Sequence, residues 1–475
     1  KAKEIVRMSV ARVAGLEPLH TTSIGIERSA LIIGGGVAGM TTALSLADQG
    51  YPVYLVERDS QLGGNLRNVF YLADQSDPQK FLRETIRRVI ENPLITIHLN
   101  SEIDSTTGFL GNFVSRLSDG TEIKHGVTIV ATGGKEYRGD EYEYGKDPRI
   151  VTQQQFESLL ANSQSVFRIP NFSVVMIQCV GPAEKYCGRL CCTTALKNAL
   201  KLKSLNPNAE ITILYKDIRT YGFKERLYTE ARRLGVRFVR YDDQKPIVEI
   251  PNPKIQNLKS QNPKIPNSKD DDLFSALRNP QSAIRVRVNE PILNVEVELR
   301  PHLLVLSTPM IPADGSRELA SKLKVPVDAD GFFLEAHVKL RPVDFASEGL
   351  FMAGAAHYPK FLDESMVQAK AAASRAATIL SRPSLNAGGA VAVVDPSKCT
   401  ACLTCVRICP YSVPKIKASF TGVGNIVGAA YIEAAICQGC GICASECPAK
   451  AISVMHYSDA QVMAKVDALF EEVLA

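Results

Sequence analysis

The chain has 475 residues, enough for about three domains of ordinary size, and its 45% hydrophobic against 22% charged residues exclude a disordered protein. The formal charge of +5 counts all 12 cysteines as neutral thiols. Cysteines that bind a metal do so as thiolates, so the basic balance is poor evidence for nucleic acid binding, and no stripe of Lys and Arg with interleaved aromatics argues for it.

Residues 1–28 open on an amphipathic stretch (Ile5, Val6, Met8, Val13) without an initiator Met and read as an arm or linker of a trimmed chain. The uncharged run Ser29 to Ala47 is long enough for a membrane helix, yet Gly34, Gly35, Gly36 and Gly39 stand in its middle, so a strand, a turn and a helix are expected instead. Ser29 to Ile33 is the strand, Met40 to Gln49 the helix closed by Gly50, and Tyr51 to Glu57 the returning strand of a βαβ unit. Gly34, Gly36 and Gly39 complete a GxGxxG, whose glycines allow a tight turn and the approach of a pyrophosphate to a helix N-terminus. Glu57 ends the next strand where a ribose hydroxyl would be bound.

A second βαβ unit runs from a strand at Phe172 to Val180, through a helix around Thr193 to Lys203, to Glu210 to Tyr215. Where a nicotinamide-binding domain would carry its glycine loop, this chain has Cys179-Val-Gly-Pro-Ala-Glu-Lys-Tyr-Cys187-Gly-Arg-Leu-Cys191-Cys192. These four cysteines fit a [4Fe-4S] cluster, additional to any on the cysteines of the tail; a redox disulfide and buried thiols are the alternatives. The segment 250–273, rich in Pro, Asn, Lys and Asp, cannot bury a core and is expected as an exposed loop. Leu303 to Ser307 closes the second unit and Gly349 to Gly354 returns the chain to the first, so the second unit is inserted in the first. A linker, Ser381 to Gly389, precedes the cysteine-rich tail.

In the tail, Cys399-x2-Cys402-x2-Cys405-x3-Cys409-Pro410 recurs as Cys437-x2-Cys440-x2-Cys443-x3-Cys447-Pro448. Three closely spaced thiolates wrap one face of a [4Fe-4S] cubane, and in two-cluster ferredoxins the fourth, before proline, reaches the other cluster. Cluster one then uses Cys399, Cys402, Cys405 and Cys447, and cluster two uses Cys437, Cys440, Cys443 and Cys409. A pair of zinc sites is the weaker alternative. Cysteines confined to three tight groups speak for metal ligation in a reducing, cytoplasmic interior rather than for a disulfide framework.

Arg58 after Glu57, Leu62-Gly63-Gly64-Asn65 and Ala131-Thr132-Gly133-Gly134 resemble features of the two-dinucleotide flavoprotein disulfide reductases. That resemblance implies FAD rather than NAD, and an α/β thioredoxin-reductase-like core of two dinucleotide-binding-type domains followed by an α+β two-cluster ferredoxin. The expected divisions are an arm at 1–28, an FAD-binding domain in two parts at 29–165 and 301–385, the cysteine-bearing insert at 166–300, and the ferredoxin at 386–475. Gly354-Ala355-Ala356 departs from the Gly-Asp usual in those reductases, which removes the expected ribityl contact. A helix starting near Ser365 would aim its positive end at the flavin pyrimidine ring. His357 reads either as a flavin contact or as a turn residue.

From the glycine loop through both ferredoxin motifs the chain resembles the family of heterodisulfide reductase A-type subunits. The cysteine-for-glycine replacement and Gly354-Ala-Ala-His-Tyr-Pro-Lys-Phe-Leu-Asp-Glu-Ser365 make the resemblance specific. It implies bound FAD with Gly354, His357 and Gln368 at the cofactor, a cluster on Cys179, Cys187, Cys191 and Cys192, and a flavin that bifurcates electrons. It also puts Lys197 near the flavin, where an exposed helical lysine is the other reading. The implied partners are other redox subunits, hydrogenase or formate dehydrogenase modules among them, a soluble ferredoxin and a second copy of the chain. The N-terminal cluster domain that family members usually have, and the ferredoxin insert that some have, are not visible in this sequence. The rival readings are a linear NAD(P)H- or ferredoxin-linked flavoenzyme and a non-catalytic electron conduit.

Overall fold

Apolar tetrads buried on both faces form the centres of two parallel sheets, as expected where helices cover both sides. The computed structural model describes residues 1–19, 22–250, 277, 284–387 and 389–470. Contacts divide the chain into two units, Arg28–Ser381 and Lys1–Glu27 with Arg382–Ala475.

In the larger unit the first sheet has the strand order Leu350–Met352, Val127–Val130, Ala30–Ile33, Val53–Val56, Ile95–His98, all parallel. The second has the order Ile150–Thr152, Leu303–Leu306, Ser173–Ile177, Glu210–Tyr215, Arg237–Arg240, again all parallel. The two sheets share one winding of their central strands. From a central strand, Ala30–Ile33 or Ser173–Ile177, the chain steps outward twice on one side and then crosses to the other, the far edge strand coming last in the first sheet and first, as Ile150–Thr152, in the second; the crossing opens a crevice beyond the carboxyl ends of the central strand and its late neighbour. In the first sheet the crevice lies between Ile33 and Val130; in the second, between Ile177 and Leu306. The ribbon pairing Gly134–Glu136 with Met310–Pro312 carries the chain between the two sheets.

Several sequence boundaries move. Ile150–Thr152 and Leu303–Leu306 pair with each other in the second sheet, so divisions at 165 and 301 cut into it. The first helix covers Val37–Ala47 rather than Met40 to Gln49, because it begins directly at the glycine turn. The late helix covers Leu362–Leu380, a turn earlier than expected, with a capping box in which the Glu364 carboxylate accepts from Phe361 N–H at 3.0 Å. The expected loop at 250–273 lies, from residue 251 on, outside the described residues.

The smaller unit shows that residues 1–28 are not a free arm. Helix Ala2–Ala14 packs on helix Asp459–Phe470, with Arg7 Nε donating to Ala468 O at 2.6 Å and the Arg12 guanidinium 4.3 Å from the Tyr457 ring centre. Thr22–Gly25 pairs antiparallel with Ser384–Ala387, inside the expected linker. The cysteine-rich tail is a pseudo-repeat: an antiparallel pair Ala392–Val394 with Ile452–Val454, a hairpin Lys415–Thr421 with Val427–Tyr431, and short helices Thr404–Ile408 and Ile442–Ser445. Among the described residues no helix is long and apolar enough to cross a membrane.

Candidate cofactor centres

Each cysteine run in the tail is wound by two residues in the left-handed region, Ala401 (φ 54°) and Leu403 (φ 64°) in the first, Gly439 (φ 63°) and Gly441 (φ 80°) in the second. The winding turns three thiols to one side, and the fourth comes from the other run. One cavity is lined by Cys399, Cys402, Cys405 and Cys447. A second is lined by Cys437, Cys440, Cys443 and Cys409. Backbone amides point at the sulfurs: Ala430 N–H to Cys399 at 3.4 Å and Ala451 N–H to Cys447 at 3.3 Å in the first, Ala392 N–H to Cys437 at 3.4 Å and Val413 N–H to Cys409 at 3.5 Å in the second. Such N–H···S bonds favour thiolate and raise cluster potential. All twelve cysteines are free of disulfides. Among the described residues no three His, Cys, Asp or Glu side chains converge as ligands of one metal ion would.

At the first crevice the turn Gly34 to Gly39 meets Ala131-Thr132. Gly39 is held to glycine by close approach, since a Cβ there would stand 1.8 Å from Gly34 O. Gly133 is held to glycine by its left-handed backbone (φ 72°), but at Gly36, whose φ of −75° any residue adopts, an added Cβ would meet nothing within 4 Å, so neither backbone nor protein packing explains the missing side chain, whereas an approaching ligand does. A cavity of about 100 Å³ opens beside this turn, lined by Gly34, Glu57, Arg58, Ser101, Thr132 and Lys322 among others. The buried Thr132 hydroxyl has no partner. Glu57 is oriented by two backbone donors, Gly35 N–H at 2.5 Å and Asp59 N–H at 2.9 Å. Arg58 donates to Asp314 O at 3.0 Å at the rim. Gly63 and Gly64 enter the short helix Gly64–Asn68, where Asn65 accepts from the Gln154 amide at 2.8 Å. The unpartnered Thr132 hydroxyl and the open Gly36 fit a bound dinucleotide.

At the second crevice the strand end carries thiols. Val180 N–H donates to Ser307 O at 3.2 Å and the Gln178 amide to the Ser307 hydroxyl at 2.7 Å. Cys179, Cys187, Cys191 and Cys192 lie within one another's electrostatic reach. Burial and then the neighbouring thiols push Cys179 up to about 11. The neighbouring Cys191 thiol lowers the Cys192 pKa against burial, the Arg219 backbone amide acting in the same direction, and the Cys192 thiol lies 3.8 Å from Asp217 O. Lys216 and Arg219 supply positive charge beside the group.

Sequence comparison matches residues 32–80 to the NAD(P)-binding Rossmann-like domain and residues 392–415 to the 4Fe-4S binding domain. The A-type subunit of the H(2):CoB-CoM heterodisulfide,ferredoxin reductase of Methanothermobacter thermautotrophicus is 27% identical over 99% of this chain and 81% of its own length. Its counterpart in the ferredoxin:CoB-CoM heterodisulfide reductase of Methanosarcina acetivorans is 26% identical over 99% of this chain and 70% of its own. This chain is a relative of the heterodisulfide reductase A-type subunits. Lactococcus lactis thioredoxin reductase superposes with a TM-score of 0.48 at 15% identity, over 74% of this chain and 99% of its own.

Lys197 is not the exposed helical lysine that the sequence allowed. It sits in helix Leu190–Leu205, buried, with Nζ 2.8 Å from both Glu157 Oε2 and Tyr71 O. Burial lowers its pKa against the opposing pull of Glu157. Both nitrogens of His357 are engaged by protein. Gly354 N–H donates to Gln368 Oε1 at 2.9 Å, so the Gln368 amide nitrogen faces His357 Nδ1 at 2.8 Å, and Nε2 carries the proton toward Glu335 at 2.8 Å. Burial and the nearby Lys360 lower the His357 pKa, keeping the ring neutral, and burial pushes Lys360 down to about 8. Glu157, Glu335 and Asp314 carried no sequence signal, because each acquires its role from a partner distant in the chain.

Proposed function

We propose that this chain is the flavin and iron–sulfur electron-transfer subunit of a heterodisulfide-reductase-like complex. It holds one FAD at the first crevice and three [4Fe-4S] clusters, two in the tail and one at the second crevice. The carrying observation is that two parallel sheets with the same arrangement of central strands end differently: one crevice is furnished with an open glycine, Gly36, and an unpartnered threonine, the other with four thiols. When bound, FAD exchanges electron pairs and the clusters exchange single electrons.

The chain's own residues set the terms of that exchange. Glu57 is held ready for a ribose hydroxyl, and Thr132 would donate to the dinucleotide from the cavity wall. The Gly354–Gln368–His357–Glu335 chain fixes the turn before helix Leu362–Leu380, whose positive end favours a negatively charged reduced flavin. The tail amides of Ala430, Ala451, Ala392 and Val413 hold the thiolates there, and Lys216 and Arg219 place positive charge beside the thiols of the second crevice. The chain's partners are then other redox subunits, hydrogenase or formate dehydrogenase modules among them, and a soluble ferredoxin in the cytoplasm, and the flavin splits electron pairs between a high- and a low-potential branch.

Anaerobic reductive titration tests the reading. One FAD and three clusters take up about five electrons per chain. Bifurcation adds a second criterion: a low-potential acceptor is reduced only when a high-potential acceptor is also supplied. Reduction of the low-potential acceptor alone, at the same rate, supports linear transfer instead.

A further inference from the structure

Between Cys187 and Cys191 the thiol loop carries Gly188 and Arg189. Arg189 stands at φ 56°, in the left-handed region that glycine occupies without strain and other residues avoid. The turn itself therefore does not call for an arginine; the side chain's contacts do. Its guanidinium reaches Glu364 Oε1 at 2.8 Å and lies 5.3 Å from the Phe361 ring centre, while Lys224 Nζ stands 3.9 Å from the same ring. Gly188 abuts Pro359, since a Cβ there would lie 2.8 Å from Pro359 Cβ. The second oxygen of Glu364 accepts from Phe361 N–H in the capping box, and one turn further along the same helix Gln368 holds Gly354. One ion pair thus joins the thiol loop to the cap of the helix that faces the flavin crevice. Both side chains are about a third exposed (30% and 32%), so the pair adds little to stability. What it constrains is the distance and orientation between two loops.

We propose that Arg189 is a positioning residue for electron transfer, clamping the thiol loop to the cap of helix Leu362–Leu380 and fixing the gap between flavin and third cluster. The proposal rests on the assignment of FAD and a cluster to the two crevices. In the step it governs, the flavin is oxidised by one electron and the cluster is reduced by one; no bond is made or broken. A loop released from the cap samples longer separations, and transfer slows without any loss of cofactor.

The test uses the full chain purified anaerobically, as wild type and as Arg189→Ala, Arg189→Lys, Glu364→Gln, Arg189→Ala/Glu364→Gln and Cys192→Ala. The flavin is photoreduced and cluster reduction followed by absorbance, the phase absent from Cys192→Ala being that of the third cluster. Arg189→Ala and Glu364→Gln keep wild-type iron and the cluster's paramagnetic resonance signal, yet slow that phase by about tenfold or more. The double variant is no slower than either single one, and Arg189→Lys recovers most of the rate. Wild-type rates in both single variants, additive slowing in the double, or slowing that lysine does not relieve overturns the proposal. If Arg189→Ala sheds iron, Glu364→Gln, which leaves the thiol loop's sequence intact, decides alone. Equal iron in wild type and Cys192→Ala overturns the cluster assignment itself, and this proposal with it.

Discussion

Replacing Cys409 with alanine should destroy the cluster of the other cysteine run, not of its own. Cys409 follows Cys405 by four positions, yet it lines the cavity of Cys437, Cys440 and Cys443, with Val413 N–H directed at its sulfur. Cys447 sits in the same exchanged position against Cys399, Cys402 and Cys405, with Ala451 N–H on its sulfur. Each cubane holds four irons, so any one of these substitutions should lower the chain's iron from about twelve to about eight atoms. The diagnostic is which signal goes. Anaerobic preparations of Cys399→Ala, Cys447→Ala, Cys409→Ala and Cys437→Ala are compared by iron analysis and by electron paramagnetic resonance after dithionite reduction. Cys409→Ala and Cys437→Ala should lose one and the same signal, and Cys399→Ala and Cys447→Ala the other. If Cys409→Ala instead matches Cys399→Ala, each run ligates its own cluster and the reasoning from the cavities is wrong.

Three further outcomes follow from other parts of the chain. His125 is buried, stacked on Phe113, accepting from the Ser115 hydroxyl on Nε2 and donating from Nδ1 to Val127 O, and burial holds its pKa down to about 4 from 6.5. The unfolded state binds the extra proton first, so stability falls as pH drops from 6.5 toward 4, by about 3 kcal/mol in total; urea unfolding should show this dependence flattened in His125→Gln, and an unchanged dependence would refute it. Lys197→Met leaves Glu157 buried with only the Phe70 and Tyr71 amides, at 2.8 and 3.5 Å, and should cost about 3 kcal/mol, while Lys197→Met/Glu157→Gln should recover most of it; a double variant as unstable as the single one contradicts the pairing. NADH and NADPH should not bleach the flavin in the isolated chain, because thiols stand where a nicotinamide pyrophosphate would bind; rapid anaerobic bleaching by either nucleotide would revive the NAD(P)H-oxidising reading.

Much of this is legible because it is written locally. Apolar tetrads such as Ala30–Ile33 and Leu303–Leu306, the glycine turn, and the doubled cysteine runs each state their role within a dozen residues. The thiol helix begins at Leu190 rather than near Thr193 because Arg189, in the left-handed region, turns the chain directly into it. What stays hidden is long-range. Helix Ala2–Ala14 has no buried residue of its own, and its place is given by contacts such as Arg7 to Ala468. The pairing of Thr22–Gly25 with Ser384–Ala387 joins two short segments without strong strand character. Lys197 is left between a flavin-side and an exposed reading in the sequence because nothing near it announces Glu157, and the Arg189–Glu364 pair joins the thiol loop to the first turn of helix Leu362–Leu380, far along the chain.

Iron and flavin analysis of the anaerobically purified wild type beside Cys192→Ala decides whether the thiols at the second crevice hold a cluster. One FAD is expected in both, with about twelve irons in the wild type and about eight in Cys192→Ala, the ferredoxin signals being unchanged. About eight irons in both would contradict it and leave Cys179 to Cys192 as a set of buried thiols.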